Sequence, residues 1–539
     1  MPHSQAAPEP LRLAEALAAL SLAGDLGMGF PFEHALRVTS VAGRLAEALG
    51  LSGGERSNVF YVALLHGIGC TVDAHDLTRV FATDEIALKN AGAFVDEADA
   101  LANLRFVVAH AGSAGSTFGR PLAIARALRS GGSAFARGLR AHCEVGGLLA
   151  ARVGVPGDAR DGLLALFERW DGAGLRGLRG LDIPQAARIL AVAKRAVIHL
   201  DHFGPAAAGP AVRAGIGTAL EPRIAEAFLD LVGPAQLLEG LGDLDLGARV
   251  LDLEPAEARV ALPAERREAV FEAAADIADM KSPVFVGGSR AVRTLAVEAG
   301  RRVGLAASEL DVLGRAALAR DLGRAGVPNT ILDKPGRLSS ADWEVVRLHA
   351  YRAERILSRC HAFAAEAAVA GLHHERLDGS GYHRGAAAVQ LSPPVRVLAA
   401  ADAYGALVSE RPYRPARSPA AAASVLREDV RAGRLDRDAA EAVIGAGQGL
   451  PRSPRAGPSG RLSAREIEVL ELLAAGLSTR QAAARLSIAE KTVRHHGEHV
   501  YDKLGVSTRA GAVVVALGQG LIGRAAEPRR GGAEPARTK

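Results

Sequence analysis

Five blocks of this sequence occur twice, in the same order. HALRVTSVAGRLAEALGL at 34–51 recurs as GSRAVRTLAVEAGRRVGL at 288–305, and ALLHGIG at 63–69 recurs as ALARDLG at 317–323. LRAHCEVGGLL at 139–149 pairs with VRLHAYRAERI at 346–356, and FERWDGAGL at 167–175 pairs with HERLDGSGY at 374–382. ARILAVAK, ending at Lys194, echoes VRVLAAAD, ending at Asp402. A chain with this pattern has to fold as two related units in tandem, the first carrying an insertion near residues 71–138. The units are helical: Val38, Val41, Leu45 and Leu49 form one stripe at helical spacing, and alternating strand patterns are scarce. The expected fold class is all-α, with two related domains at 1–258 and 259–450. PRSPRAGPSG at 451–460 reads as a flexible linker, 461–525 as a separate module, and 526–539 as a disordered tail.

Composition narrows the setting. At 539 residues the chain exceeds what one core can organise. No apolar run approaches the roughly 18 residues that span a bilayer, and the N-terminus lacks the basic start of a signal peptide. Cys70, Cys143 and Cys360 are odd in number and widely spread, which points to a reducing cytoplasm rather than a disulfide framework. The net charge is +5, and residues 461–539 alone hold 13 Lys+Arg against 8 Asp+Glu. The body is therefore neutral and the C-terminal module basic, as expected for a polyanion partner of that module.

GLHHERLDGSGYHRG at 371–385 puts adjacent histidines, acids and four glycines into one stretch, the pattern of a metal site feeding a loop. Together with ARDLGRAGVPNTILDKPGRLSSADWEVVRLH and ADAYGALVSERPYR, it resembles the HD-GYP phosphohydrolases. The resemblance covers residues 280–420 well and the first repeat in degraded form. It implies an all-helical domain holding two or three ions, usually iron or manganese, that hydrolyses cyclic di-GMP. Its ligands are a first histidine, a His-Asp pair, a later single histidine, the adjacent histidines and a final Asp.

Carried onto this chain, the resemblance leaves a partial set. Asp321, His349, His373, His374 and Asp402 are the expected metal ligands, competent for one divalent transition metal. The first-histidine position is Gly288, and the His-Asp pair has become Arg320-Asp321. A guanidinium there opposes a cation. Arg320 and Arg324 are expected to clamp phosphate, and Asp321 and Arg324 to serve any remaining catalysis. His383, where the family usually has proline, gives up a fixed φ. The first repeat keeps His34, His66 and His142 but carries Gly67, Leu166, Phe167 and Lys194 at the remaining ligand positions. With no carboxylate ligand and an ammonium nearby, it is expected to be a scaffold and dimerising surface.

The C-terminal LSAREIEVLELLAAGLSTRQAAARLSIAEKTVRHHGEHVYDKLGV resembles the LuxR-type helix-turn-helix. Ser463 with Glu466 forms a capping box, Gly476 stops that helix, and Ser478 caps the next. Ser487 with Glu490 is expected to cap the third helix. By resemblance, Lys491, Thr492, Arg494 and His495 on that helix face DNA, with Arg480 and Lys503 on phosphate.

The reading is a cytoplasmic DNA-binding transcriptional regulator, dimeric on double-stranded DNA. Its HD-GYP-like body holds about one iron or manganese and a cyclic dinucleotide or other phosphorylated ligand. The alternative is an active metal-dependent cyclic di-GMP phosphodiesterase with an attached DNA-binding module. A third possibility makes both repeats scaffold alone.

Overall fold

The computed structural model describes residues 11–96, 98–114, 119–232, 239–449 and 462–523. The linker at 451–460 and the tail at 526–539 lie outside the described residues. Within them the chain is all helical: three isolated β-bridges occur but no strand.

The first repeat opens with α1 (Leu13–Met28), α2 (His34–Ala48) and α3 (Gly53–Leu65). The insertion supplies α4 (Ala74–Phe81), α5 (Glu85–Gly92), α6 (Ala100–His110) and the first half of the 34-residue α7 (Arg120–Val153). Next come α8 (Gly157–Leu164), α9 (Gln185–Phe203), α10 (Ala208–Ala214), α11 (Pro222–Val232) and α12 (Leu246–Asp252). The second repeat runs through α13 (Ala264–Asp279), α14 (Gly288–Arg302), α15 (Ala307–Ala319), α16 (Asn329–Leu332) and α17 (Ser340–Leu357). It ends with α18 (Ala364–Gly371), α19 (Pro393–Val408), α20 (Pro419–Arg431) and α21 (Arg437–Gly449). The C-terminal module is α22 (Ala464–Ala474), α23 (Thr479–Leu486), α24 (Glu490–Leu504) and α25 (Arg509–Gly518).

The two repeats share contacts that sequence matching alone does not reveal. Asp25 at the end of α1 accepts the Ala35 amide at 2.9 Å, and Asp279 at the end of α13 accepts the Ser289 amide at 3.0 Å. Each carboxylate thus satisfies an orphan N–H in the first turn of the next helix. The residue before that helix is left-handed in both, Glu33 at φ 74° and Gly287 at φ 75°. Gly69 and Gly323 are equivalent as well. A Cβ on either would meet a backbone carbonyl, His142 O at 2.2 Å and His349 O at 2.1 Å. Glu168 accepts the amides of Arg176 and Leu178, and Glu375 accepts those of Arg384 and Ala386. The two Asp-Gly-x-Gly loops are therefore pinned in the same way.

Leu and Ala side chains from both repeats form one continuous apolar core. A polar seam also joins them. Lys281, fully buried, donates to Glu85 at 2.7 Å and to the Ala325 carbonyl at 3.1 Å. Glu85 also accepts the Asn329 amide at 2.9 Å. The insertion therefore supplies the counter-charge for a lysine that the second repeat buries. Such a pair fixes register more than it adds stability.

The C-terminal module has its own small cores and packs on the body through α25. Val514 joins the body core, Arg152 donates to the Val514 carbonyl at 3.0 Å, and Glu144 of α7 accepts the Thr508 amide at 2.9 Å.

Candidate functional site

In the second repeat, α17 delivers His349, the turn after α18 delivers His373 and His374, and the turn after α15 delivers Asp321. The three histidines bring one nitrogen each within 4.8 Å of one another. Two of them have a fixed tautomer. His349 Nδ1 donates to the Val346 carbonyl and His373 Nδ1 to the Ala370 carbonyl, each at 2.6 Å. That leaves both Nε2 atoms as bare lone pairs, and they face each other at 3.3 Å. Burial, then His373 beside it, pushes the His349 pKa down to about 3. Burial lowers His373 as well, and burial with His373 alongside lowers His374 well below its ordinary value. The rings are neutral and cannot relieve the repulsion by protonation.

Asp321 Oδ1 stands 3.4 Å from His349 Nε2 and 3.8 Å from His373 Nε2, and both of its oxygens are buried and held by ion pairs to arginine rather than by well-aligned hydrogen bonds. Electron-rich atoms converging without a proton between them are the surroundings a divalent ion requires. The backbone-anchored Nδ1–H groups are the usual outer support of metal-binding histidines. The donor set fits one such ion.

Beside it, Arg320 lies between two carboxylates. Its Nε donates to Asp402 Oδ1 at 2.8 Å, its Nη1 donates to the Ala317 carbonyl at 2.7 Å, and its Nη2 lies 2.9 Å from Asp321 Oδ2. Burial would raise both carboxyl pKa values, but Arg320, joined by Arg324 and the neighbouring histidines, overcomes it and holds Asp321 low and Asp402 lower still. Arg320 is only 4% exposed and all three nitrogens are committed, so the expected role as a phosphate clamp is corrected. It is an internal counter-ion instead. Asp402 stays 3.8 Å from His374 Nδ1, turned to Arg320 rather than to the histidine cluster.

Arg324 reaches Asp321 at 2.8 Å and lies against the Phe285 ring, 4.6 Å from its centre. Arg411 lies against the same ring at 5.0 Å. Burial, with Arg324 adding repulsion, brings the Arg411 pKa down to about 10. Sequence reasoning missed Arg411, although it stands in the quoted SERPYR stretch; only folding brings it beside Arg324. Tyr382 stacks on His374 at 4.6 Å and closes the cluster from the loop side.

The first repeat brings His34, His66 and His142 near one another without converging their nitrogens. His142 spends Nε2 on the His66 carbonyl at 2.7 Å, and His66 spends Nδ1 on the Ala63 carbonyl. Phe167 packs on His142, and the Lys194 ammonium lies over the Phe167 ring at 5.1 Å. A carboxylate that no motif marks does reach this cluster: Asp201, two turns beyond Lys194 on α9, receives His34 Nδ1 at 2.7 Å. It is shared with Arg37, so a side-chain cation holds it here too.

In the C-terminal module the first two caps form as expected, with Ser463 and Glu466 reciprocal and Ser478 paired with Gln481. The third does not. Ser487 closes α23 in a left-handed conformation at φ 53°, and α24 begins after Ala489. Arg480, Lys491, Thr492, Arg494 and His495 are exposed on one side, and His499 stacks on His495. Lys503 differs from expectation in having a partner: Nζ sits 2.8 Å from both Glu466 oxygens.

The architecture is a duplicated histidine–aspartate helical scaffold with a helix-turn-helix attached. Residues 272–439 match the HD domain family, and residues 460–516 match the bacterial regulatory proteins of the luxR family. The chain is 32% identical over 419 residues to 3'3'-cGAMP-specific phosphodiesterase 3 of Vibrio cholerae, covering 78% of this chain and 91% of that one. A cyclic di-GMP phosphodiesterase of Pseudomonas aeruginosa is 38% identical over 127 residues, 23% of this chain and 31% of the relative. The crystal structure of a Vibrio cholerae cyclic GMP-AMP specific phosphodiesterase superposes with a TM-score of 0.59 at 28% identity, covering 82% of this chain and 99% of that one. The chain belongs to the HD-GYP family, and it carries a luxR-family module at its C-terminal end. Among the described residues no helix is long and apolar enough to cross a membrane.

Proposed function

We propose that this protein is a DNA-binding regulator whose second repeat binds a cyclic dinucleotide at a single-metal site and turns it over slowly or not at all. The observation that carries the reading is Arg320 lying between Asp321 and Asp402. Two-metal phosphodiester hydrolysis uses one ion to activate a bridging water and another to neutralise the phosphoryl oxygens. Here a guanidinium holds both carboxylates that would serve the second ion.

A divalent ion, iron or manganese, held by His349, His373 and His374 with Asp321 alongside, would supply a Lewis acid for a phosphoryl oxygen. The chain's own part is recognition. With Arg320 committed to the carboxylates, Arg324 and Arg411 bring two further guanidinium charges beside the histidine cluster, which favours a phosphate. Arg324 and Arg411, held by the Phe285 ring, are the arms for that phosphate, and Tyr382 offers a flat face for a purine. Exposed Lys491, Thr492, Arg494 and His495 serve the major groove, and Arg480 serves the backbone.

The alternative, an active phosphodiesterase, is favoured by the intact three-histidine cluster and by the activities named for the relatives. The two readings separate in one series on the full-length protein. Metal is counted by mass spectrometry, and hydrolysis of 3'3'-cGAMP and cyclic di-GMP is followed with manganese or iron supplied. DNA affinity is measured with and without each nucleotide. About one metal, nucleotide binding without turnover and a nucleotide-dependent shift in DNA affinity are expected. Two metals with rapid turnover would overturn the reading in favour of the enzyme.

A further inference from the structure

The strongest charged surface left over lies on α7, far from the histidine cluster in sequence and outside the luxR-family match. Between Asp99 and Glu144 the chain has six arginines and no acid. All six, Arg105, Arg120, Arg126, Arg129, Arg137 and Arg140, are exposed. Four of them fall at spacings that keep them within about 80° of one face of α7 over roughly 21 Å of helix. Between them the same face carries Ser130, Ser133 and Ala136. Both serine hydroxyls turn back to the helix, Ser130 Oγ to the Arg126 carbonyl and Ser133 Oγ to the Ser130 carbonyl. The row is therefore unobstructed.

The fold gives no use for this row. Among the described residues, Arg129, Arg137 and Arg140 have no ion pair or hydrogen bond, and Arg126 only donates Nε to the Val80 carbonyl. Like charges one turn apart repel, so a row of this kind costs stability unless an anion covers it.

The position of the DNA module says which anion. Glu144 lies one turn beyond Arg140 on the same face of α7, and it is the residue that accepts the Thr508 amide at the start of α25. The module is thus seated at one end of the arginine row, with Lys491 and Arg494 of α24 exposed. We propose that the α7 arginine row is a second DNA-contacting surface, binding backbone phosphates of duplex that flanks the stretch met by α24. The proposal rests on the DNA-binding reading of the module. Exposed Leu122 and Leu128 also lie on α7, but Leu122 precedes the row and Leu128 faces away from it. Between the four arginines the face carries only small residues, which favours DNA over a membrane surface.

The test uses the full-length protein and random-sequence duplexes of about 10 and 60 base pairs, with affinity followed across salt concentrations. In the wild type the longer duplex should give the steeper salt dependence. The triple variant Arg129→Gln, Arg137→Gln, Arg140→Gln should lose about 2–3 from the slope of log affinity against log salt on the long duplex. It should match wild type on the short one. The corresponding three Arg→Lys changes should keep the slope, which separates charge from packing. Identical slopes for wild type and the Gln variant on the long duplex would overturn the proposal. So would loss of flotation with anionic vesicles in that variant while DNA binding is unchanged. Binding to the short duplex reports on the module alone, so its absence would refute the DNA-binding reading separately.

Discussion

Arg320 Nε meets Asp402 Oδ1 at 2.8 Å, so a cation that is part of the chain holds the carboxylate that ends the family's ligand set. Removing it uncovers two buried carboxylates at once. Arg320→Ala should destabilise the metal-free protein by about 3–5 kcal/mol, the usual result of leaving a buried charge unpaired. Added manganese should recover much of that loss, because an ion can take over the compensation. Thermal melts with and without manganese check this; an equal deficit in both conditions would mean the carboxylates do not face the ion.

Restoring histidine at both lost positions should create room for a second ion. A Cβ at Gly288 meets no atom within 4 Å, so a side chain enters without a clash. Gly288→His with Arg320→His should raise the metal count from about one to about two per chain and increase hydrolysis. A count that stays at one rejects this account of the site.

His373→Ala should strip the wild-type ion and lower the melting temperature. At ligand concentrations 100 to 1,000 times Kd, binding stabilises by roughly 3–4 kcal/mol. A chelator should therefore lower the melting temperature of wild type and leave that of the variant where it is.

Arg411→Ala should weaken cyclic dinucleotide binding by about tenfold, the scale of one charge-assisted hydrogen bond. Metal content should not change. Calorimetry alongside metal analysis separates these, and joint loss of metal would place Arg411 in the support of the ion instead.

What could be read in the sequence, and what could not, divides along physical lines. The helical class and the repeat were legible because apolar spacing and the blocks around His142 and His349 are local patterns. The three-histidine cluster was legible because its ligands sit in short motifs. Arg320 as a counter-ion was not: its partner Asp402 is 82 residues away, and only folding decides whether a guanidinium turns to a ligand or inward. Asp201 was hidden for the same reason, since it reaches His34 from a position on α9 that no motif marks. Ser487 misled because a serine three residues before a glutamate fits a cap, whereas the backbone there closes the preceding helix.

Acid should weaken the C-terminal module through Glu466. Burial would raise its pKa, but Lys503 and the Ser463 contacts prevail and bring it from 4.5 to about 2. A carboxyl depressed in the folded state adds stability above its unfolded pKa and loses it as pH falls toward the folded one. On the order of 2–3 kcal/mol should disappear between about pH 5 and pH 2. Glu466→Gln should flatten that part of the profile for α22–α25, as read by hydrogen exchange; an unchanged profile would assign the acid sensitivity elsewhere.

Gly69 and Gly323 touch the carbonyls of His142 and His349 more closely than any side chain allows. The consequence is that each histidine backbone is located by a glycine rather than by anything its ring binds. Chemistry and architecture are thereby uncoupled, and one half of the duplication can fall chemically silent while still serving as a casting mould for the other. An alanine at either glycine would jam the frame, whereas an altered ring would only change what the frame holds.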